Sequence, residues 1–257
     1  MKIPLMTITL SFFLSACATQ KFVAQNADFI LERQVSKRIP LTSEQRTVLT
    51  RDIKRFLNSE KEQLKQAIPL IQKIQNDPEQ MSFLYQELSN IYKVIAYDFS
   101  KMVCDHLIEL DKGQQKEFFA ILTKENLEIS RKQSQDNLEL IQTRFEDLTG
   151  EISKEQKRII NSYSSYFEER QKTRIANRKR LATRLEEIYA MELSKKDKEK
   201  FFIDAFKEYQ SKTFSGIKHD EIIVKVLPTL TNNQKKELKK KAQDLKSILN
   251  YYLETDY

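Results

Sequence analysis

The chain has 257 residues, a formal charge of +7, 32% charged and 40% hydrophobic residues, 3 Gly and no Trp. Average glycine usage is roughly 7%, so tight turns and glycine-rich phosphate-binding loops are not expected. The 15 Phe and 10 Tyr exclude a disordered chain. This composition is typical of amphipathic helices, and the basic balance favours partners with anionic surfaces.

Residues 1–16 are predicted to be a cleaved lipoprotein signal peptide. Lys2 gives a positive start, and the apolar run Ile3–Phe13 is too short to span a bilayer, which needs about 20 residues. The run ends in four residues that resemble the bacterial lipobox: Leu14, Ser15, Ala16 and Cys17. The resemblance implies that Cys17 is acylated and anchors the chain in a membrane. The alternative is an ordinary secretory signal or a buried apolar N-terminus.

The residue after the cysteine bears on location. Asp at this position would resemble the inner-membrane retention signal of enteric bacteria, and the chain has Ala18. We therefore expect an outer-membrane, lipid-anchored and periplasm-facing protein, with the cell surface as the alternative. A helical pattern begins by Phe22, so the folded body should lie against the membrane, with its cationic faces near anionic headgroups.

A motif similar to Leu-Thr-x-x-Gln returns along the chain and predicts helix starts. In a capping box the N-cap oxygen accepts the backbone N–H three residues on, and the side chain there accepts the N-cap N–H. Asp77 follows a polar residue instead of Leu, and Ser194 has Asp197 in the Gln position. The predicted capping residues are Thr42 and Gln45, Asp77 and Gln80, Asp111 and Gln114, Ser153 and Gln156, Ser194, and Thr231 and Gln234.

Between these caps, apolar residues recur every three or four positions and predict an all-α fold. The predicted helices cover residues 21–35, 42–75, 77–109, 111–148, 153–192, 194–213, 218–226 and 231–253. Pro69 should kink or break the second helix, and Gly150 should end the fourth. Long helices with short connections favour an elongated bundle of antiparallel helical hairpins. Residues 17–257 are expected to form a single helical domain, with a subdivision into 21–150 and 151–257 as the alternative.

The motifs at Leu41–Gln45, Ile152–Gln156 and Leu230–Gln234 resemble the signature of the periplasmic Spy/CpxP family. Those are small helical proteins with chaperone or stress-sensing roles. Residues 17–190 are also similar to a family of uncharacterised Gram-negative lipoproteins, in which an acylated Cys precedes a segment like Asn26-Ala27-Asp28. The first resemblance implies a holdase, and the second implies a helical lipoprotein without an assigned activity.

The fifth predicted helix carries a candidate binding surface. Arg170, Arg174 and Arg178 are four residues apart and should share one helix face, which Arg180 and Arg184 widen. Such a patch suits anionic headgroups, an anionic envelope polymer or a protein client, whereas nucleic acid is not expected in the periplasm. The alternative is a solvated helix whose charge is partly neutralised by neighbouring glutamates.

Catalysis, cofactors and metal sites are not expected. His106 and His219 lack metal-ligand spacing, and Cys104 lies two residues from His106, on a different helix face. Cys104 is therefore expected to be a buried structural thiol. The predicted function is a non-enzymatic envelope adaptor or structural lipoprotein. The alternative is a Spy-like holdase or envelope-stress factor that binds unfolded proteins.

Overall fold

The computed structural model describes residues 22–131, 134–214 and 219–257, and these residues form an all-α fold with no strand. The lipobox-like residues 14–17 lie outside the described ranges. Twelve α-helices occur in the described part of the chain: α1 (Ala27–Ser36), α2 (Ser43–Ser59), α3 (Lys61–Lys65), α4 (Ala67–Asn76), α5 (Met81–Ile108), α6 (Lys112–Ser130), α7 (Ser134–Thr149), α8 (Lys154–Asn161), α9 (Ser164–Ala190), α10 (Lys195–Phe214), α11 (His219–Val226) and α12 (Asn232–Glu254). Two short 3-10 helices, Pro78–Gln80 and Leu227–Thr229, precede α5 and α12.

Several predicted long helices are divided in the structure. The predicted helix over 42–75 becomes α2, α3 and α4, and the second break falls at Gln66. Pro69 explains that break, because it has no N–H to donate to the carbonyl of Lys65 and its ring crowds that oxygen. The predicted helix over 153–192 divides between Asn161 and Ser164. No Gly or Pro lies between Asn161 and Ser164, so the sequence carries no local signal for the break before α9.

The buried apolar residues form two cores, and three long helices contribute to both. The first core includes Val35, Leu49, Ile53, Cys104, Leu107, Phe118, Leu185, Ile188, Phe202, Ile248 and Tyr252. The second core includes Ile71, Leu84, Ile91, Ile152, Ile160, Phe167, Ile222, Val226, Leu238 and Leu249. Helices α5, α9 and α12 run through both cores, and each core takes residues from either side of Gly150.

One carboxyl group is buried beside the first core. Glu60 is 7% exposed at the junction of α2 and α3. Burial, reinforced by the charge of Asp98, raises the pKa of Glu60 from 4.5 to about 6. The folded chain therefore binds this proton more tightly than the unfolded chain, and ionisation of Glu60 opposes folding.

We expect Glu60→Gln to raise the free energy of unfolding by up to about 2 kcal/mol at neutral pH, since each pKa unit is worth about 1.4 kcal/mol. The gain should be absent below the unfolded pKa of 4.5 and complete above the folded pKa of about 6. Urea unfolding of both chains across this pH range measures the difference. Glu62→Gln, which removes an exposed carboxylate two residues away, is the matched control and should change the free energy of unfolding much less. A parallel pH profile for Glu60→Gln and the natural chain would contradict the expectation.

Candidate functional site

The recurring motif brings helix starts together in pairs. The caps of α2 and α6 meet through Gln45 and Gln114, and we call this contact the N-terminal clasp. The caps of α8 and α12 meet through Gln156 and Gln234, and we call this contact the C-terminal clasp. In all four helices the capping box has both of its hydrogen bonds. Each glutamine therefore caps its own helix and also contacts another helix start.

The C-terminal clasp satisfies every hydrogen-bonding group of its two amides. Gln156 Oε1 accepts from the N–H of Ser153 at 2.8 Å, while Gln156 Nε2 donates to the carbonyl of Thr229 at 3.1 Å. Gln234 repeats this arrangement with Thr231 and Glu151. The two amides also donate to each other, both at 3.0 Å. A glutamine amide has two donors and two lone pairs on its oxygen, so both side chains are fully bonded.

The N-terminal clasp uses the same plan with fewer bonds. Gln114 Nε2 donates to Gln45 Oε1 at 2.6 Å and to the carbonyl of Pro40 at 2.7 Å. Gln45 Nε2 donates to the carbonyl of Glu109 at a longer 3.4 Å. In both clasps the accepting carbonyl belongs to the residue just before the partner motif's buried Leu or Ile. The motif therefore joins two helix starts through its Gln, while its Leu or Ile is buried in a core.

The other two predicted caps differ from a capping box. Asp77 accepts the N–H of Glu79 at 3.0 Å, and Gln80 Nε2 donates to the Asp77 carboxylate at 3.1 Å. The capping box predicted there is wrong, because Asp77 starts the tighter 3-10 helix that begins at Pro78. Ser194 accepts the N–H of Asp197 at 3.2 Å and donates its hydroxyl to the Asp197 carboxylate at 2.6 Å.

The predicted arginine patch is turned toward neighbouring helices. Arg170, Arg174 and Arg178 share one face of α9, and each is half-buried rather than exposed. Arg178 forms an ion pair with Glu125 of α6 at 3.1 Å, and Arg38 binds the same carboxylate at 3.0 Å. The three residues share the predicted face, which packs against neighbouring helices, and binding of an anionic partner there stays a prediction.

Arg174 lies at the centre of a group of like charges. We call Arg144 of α7 together with Arg170, Arg174 and Arg178 the arginine cluster. Burial lowers the pKa of Arg174, Tyr209 of α10 opposes this effect, and the other three arginines lower the pKa further. Burial also lowers the pKa of Arg144, while Tyr85 and the charge of Asp147 oppose this effect. Positive charge is therefore concentrated where water screens it poorly.

Two buried donors beside this charge have no acceptor among the described residues. They are Nε of Arg174 and Nδ2 of Asn177, one helical turn apart on α9. Asn177 is only 6% exposed. Buried donors in native proteins are almost always bonded, so a pair of them in a cationic site marks a place suited to an acceptor-rich anion.

Arg180 and Arg184 do not belong to the cluster. Arg180 is exposed and donates to Asn177 Oδ1 at 3.4 Å. Arg184 pairs with Glu187 at 2.9 Å, and its guanidinium lies 5.9 Å from the ring centroid of Phe201 on α10. These two residues therefore make local contacts of their own.

Cys104 and His106 lie outside the two clasps and the arginine cluster. Cys104 is fully buried, and burial raises the pKa of its thiol. His106 Nε2 lies 3.4 Å from the Asp52 carboxylate. Within residues 22–131, 134–214 and 219–257, no three His, Cys, Asp or Glu side chains converge on a point that could hold a metal ion. Over the same ranges, no helix combines the length and the apolar character needed to cross a membrane.

Comparison of the chain with protein-family models, with curated proteins and with solved structures found no match. The resemblances drawn from the Leu-Thr-x-x-Gln motifs therefore stay predictions.

Proposed function

We propose that the protein is a non-enzymatic lipoprotein adaptor of the outer membrane that binds an anionic envelope partner at the arginine cluster. The observation that carries the proposal is Arg174, which is half-buried among three further arginines with its Nε unbonded within the described chain. A charge held in this way opposes folding unless a ligand compensates it. Functional sites commonly contain such unfavourable groups.

The lipid anchor in this proposal rests on the sequence Leu14-Ser15-Ala16-Cys17 after an apolar run. Acylation of Cys17 would hold the body at the periplasmic face of the outer membrane, where phosphorylated and acidic polymers are available. Two or more acyl chains give stable anchoring, whereas one chain is marginal.

The chemistry of the cluster selects the partner class. Guanidinium groups bind carboxylates and phosphates through paired N–H donors, and Asn177 adds a neutral donor. Arg170, Arg174 and Arg178 repeat with each turn, about 6 Å apart along α9. A polymer that carries regularly spaced negative charges matches this repeat better than a single small anion.

We expect residues 18–257 to bind a fluorescent oligoglutamate or a polyphosphate chain, measured by anisotropy at low and moderate salt. The double variant Arg144→Gln/Arg174→Gln should weaken binding at least about tenfold, because charge-assisted hydrogen bonds are worth about 1.5–3 kcal/mol each. Arg46→Gln/Arg55→Gln removes the same charge from exposed positions on α2 and is the matched control. Its effect should be less than about twofold. Equal losses in both double variants would reduce the binding to net charge and overturn the proposal.

A further inference from the structure

The first helix presents an exposed stripe to one side. The helical segment 22–25 joins α1 at Asn26, whose φ of −119° is not helical. Hydrogen bonds bridge this junction, since Asn26 N–H donates to the carbonyl of Phe22 and Ile30 N–H to that of Asn26, both at 3.0 Å. The exposed residues along residues 22–37 recur every three or four positions: Phe22, Gln25, Phe29, Arg33 and Lys37. We call this set the α1 stripe. It has two aromatic residues at its start and two cations at its end.

The opposite face of α1 is held in place. Ala24 and Val35 are buried in the first core, and Tyr257 donates its hydroxyl to the carbonyl of Ala24 at 2.5 Å. Lys54 of α2 pairs with Asp28 at 3.4 Å. These contacts fix the rotation of α1, so the stripe faces away from the protein's own cores.

The two phenylalanines are large apolar side chains in contact with water. Phe22 is 60% exposed and Phe29 is 58% exposed. They lie seven residues apart, or about 10 Å along a helix, on the same side. Isolated exposed apolar residues are ordinary, but this pair is aligned on one helix face with cations beyond it. That arrangement is typical of helices that lie in a membrane interface.

The position of the stripe relative to Cys17 identifies the surface that it faces. Four residues lie between Cys17 and Phe22, so their Cα atoms are at most about 18 Å apart. The acids of α1 lie off the stripe, because Asp28 is paired with Lys54 and Glu32 accepts the hydroxyl of Ser36 at 2.7 Å. The stripe itself therefore carries cations and no carboxylate.

We propose that the α1 stripe docks on the bilayer that holds the lipid anchor, with Phe22 and Phe29 in the boundary between acyl chains and headgroups. Arg33 and Lys37 then contact the lipid phosphates through their flexible side chains. This inference rests on the lipid anchor of the proposed function and adds a defined orientation of the body. A short tether combined with two interfacial aromatics would present a constant face of the protein to the periplasm.

The absence of Trp from the chain makes the inference testable by fluorescence. Phe22→Trp and Phe29→Trp each create a single reporter in the full acylated protein, reconstituted in vesicles of phosphatidylethanolamine and phosphatidylglycerol. We expect a blue-shifted emission that brominated lipids quench. Phe83→Trp is the matched control, since Phe83 is 67% exposed on α5 beside the second core. Its emission should stay solvent-like and unquenched.

Three results would overturn the inference. If the chain is acylated but Phe22→Trp and Phe29→Trp are quenched no more than Phe83→Trp, the stripe does not dock on the bilayer, although the lipid anchor still holds. A blue shift that grows with protein concentration in the absence of vesicles would assign the stripe to a second copy of the chain. A purified chain whose mass shows no acyl groups on Cys17 would defeat the anchor and the docking face with it.

Discussion

Gln156→Leu is expected to lower the free energy of unfolding by about 3–4 kcal/mol, because a buried polar network loses one of its two centres. Gln156 is 0% exposed, and its amide makes four hydrogen bonds. The substitution leaves the N–H of Ser153, the carbonyl of Thr229 and one donor and one acceptor of Gln234 without partners. Each buried unsatisfied group costs about 1–3 kcal/mol, so the loss exceeds that of an ordinary hydrogen bond.

The N-terminal clasp supplies the control. Gln45 occupies the equivalent capping position, but it is half-exposed and its contact with Glu109 is 3.4 Å long. Water can replace the bonds lost in Gln45→Leu, so we expect a loss of only about 1 kcal/mol. Urea unfolding of both variants gives the comparison. Equal losses would show that burial of the C-terminal clasp adds nothing to the capping boxes.

A double-mutant cycle separates the clasp from the caps. Gln156→Leu/Gln234→Leu removes both amides, so neither is left as an unpaired partner of the other. The double variant should cost less than the sum of the two single variants, with a coupling of about 1–3 kcal/mol. Additive losses would mean that the two glutamines act only within their own helices.

The capping boxes of the clasps could be predicted from the sequence, but the contacts between their glutamines could not. A capping box lies within four residues, so the patterns that begin at Thr42 and Ser153 predict helix starts from the sequence alone. The partners of the glutamines lie 69 and 78 residues away, and no periodicity specifies which two caps meet. The repeated Leu before each cap indicated burial but not the neighbour. The break before α9 was missed because packing of Tyr163 into the second core, rather than a turn residue, accompanies it.

The arginine cluster shows the same division. The spacing of Arg170, Arg174 and Arg178 predicts a common face, since residues four apart are neighbours on a helix. Arginine's polarity favoured an interpretation as solvent-exposed, and only the packing of α6, α7 and α10 against α9 reverses it. Asn177 was missed although it falls on the same face one turn after Arg174. Arg144 carried no sequence signal, because it belongs to another helix.

Arg174→Met is expected to stabilise the protein while it weakens anion binding. Methionine keeps much of the apolar stem that packs in the cluster and removes the half-buried charge that burial and three arginines disfavour. We expect the free energy of unfolding to rise by about 1 kcal/mol, as for other replacements of poorly compensated charges by apolar groups.

Added polyphosphate should reverse the order of stability of Arg174→Met and the natural chain. The natural chain should gain stability with added polyphosphate, because a ligand that binds only the folded state shifts unfolding by mass action. Arg174→Met should gain much less, so the two thermal midpoints should converge or cross as polyphosphate is added. Arg55→Met, at an exposed arginine of α2, should follow the natural chain throughout. If Arg174→Met is stabilised but responds to polyphosphate as strongly as the natural chain, Arg174 lowers the stability of the fold without taking part in binding. We expect Arg174→Met to gain stability and lose binding, because a residue retained for its ligand is often unfavourable for the fold.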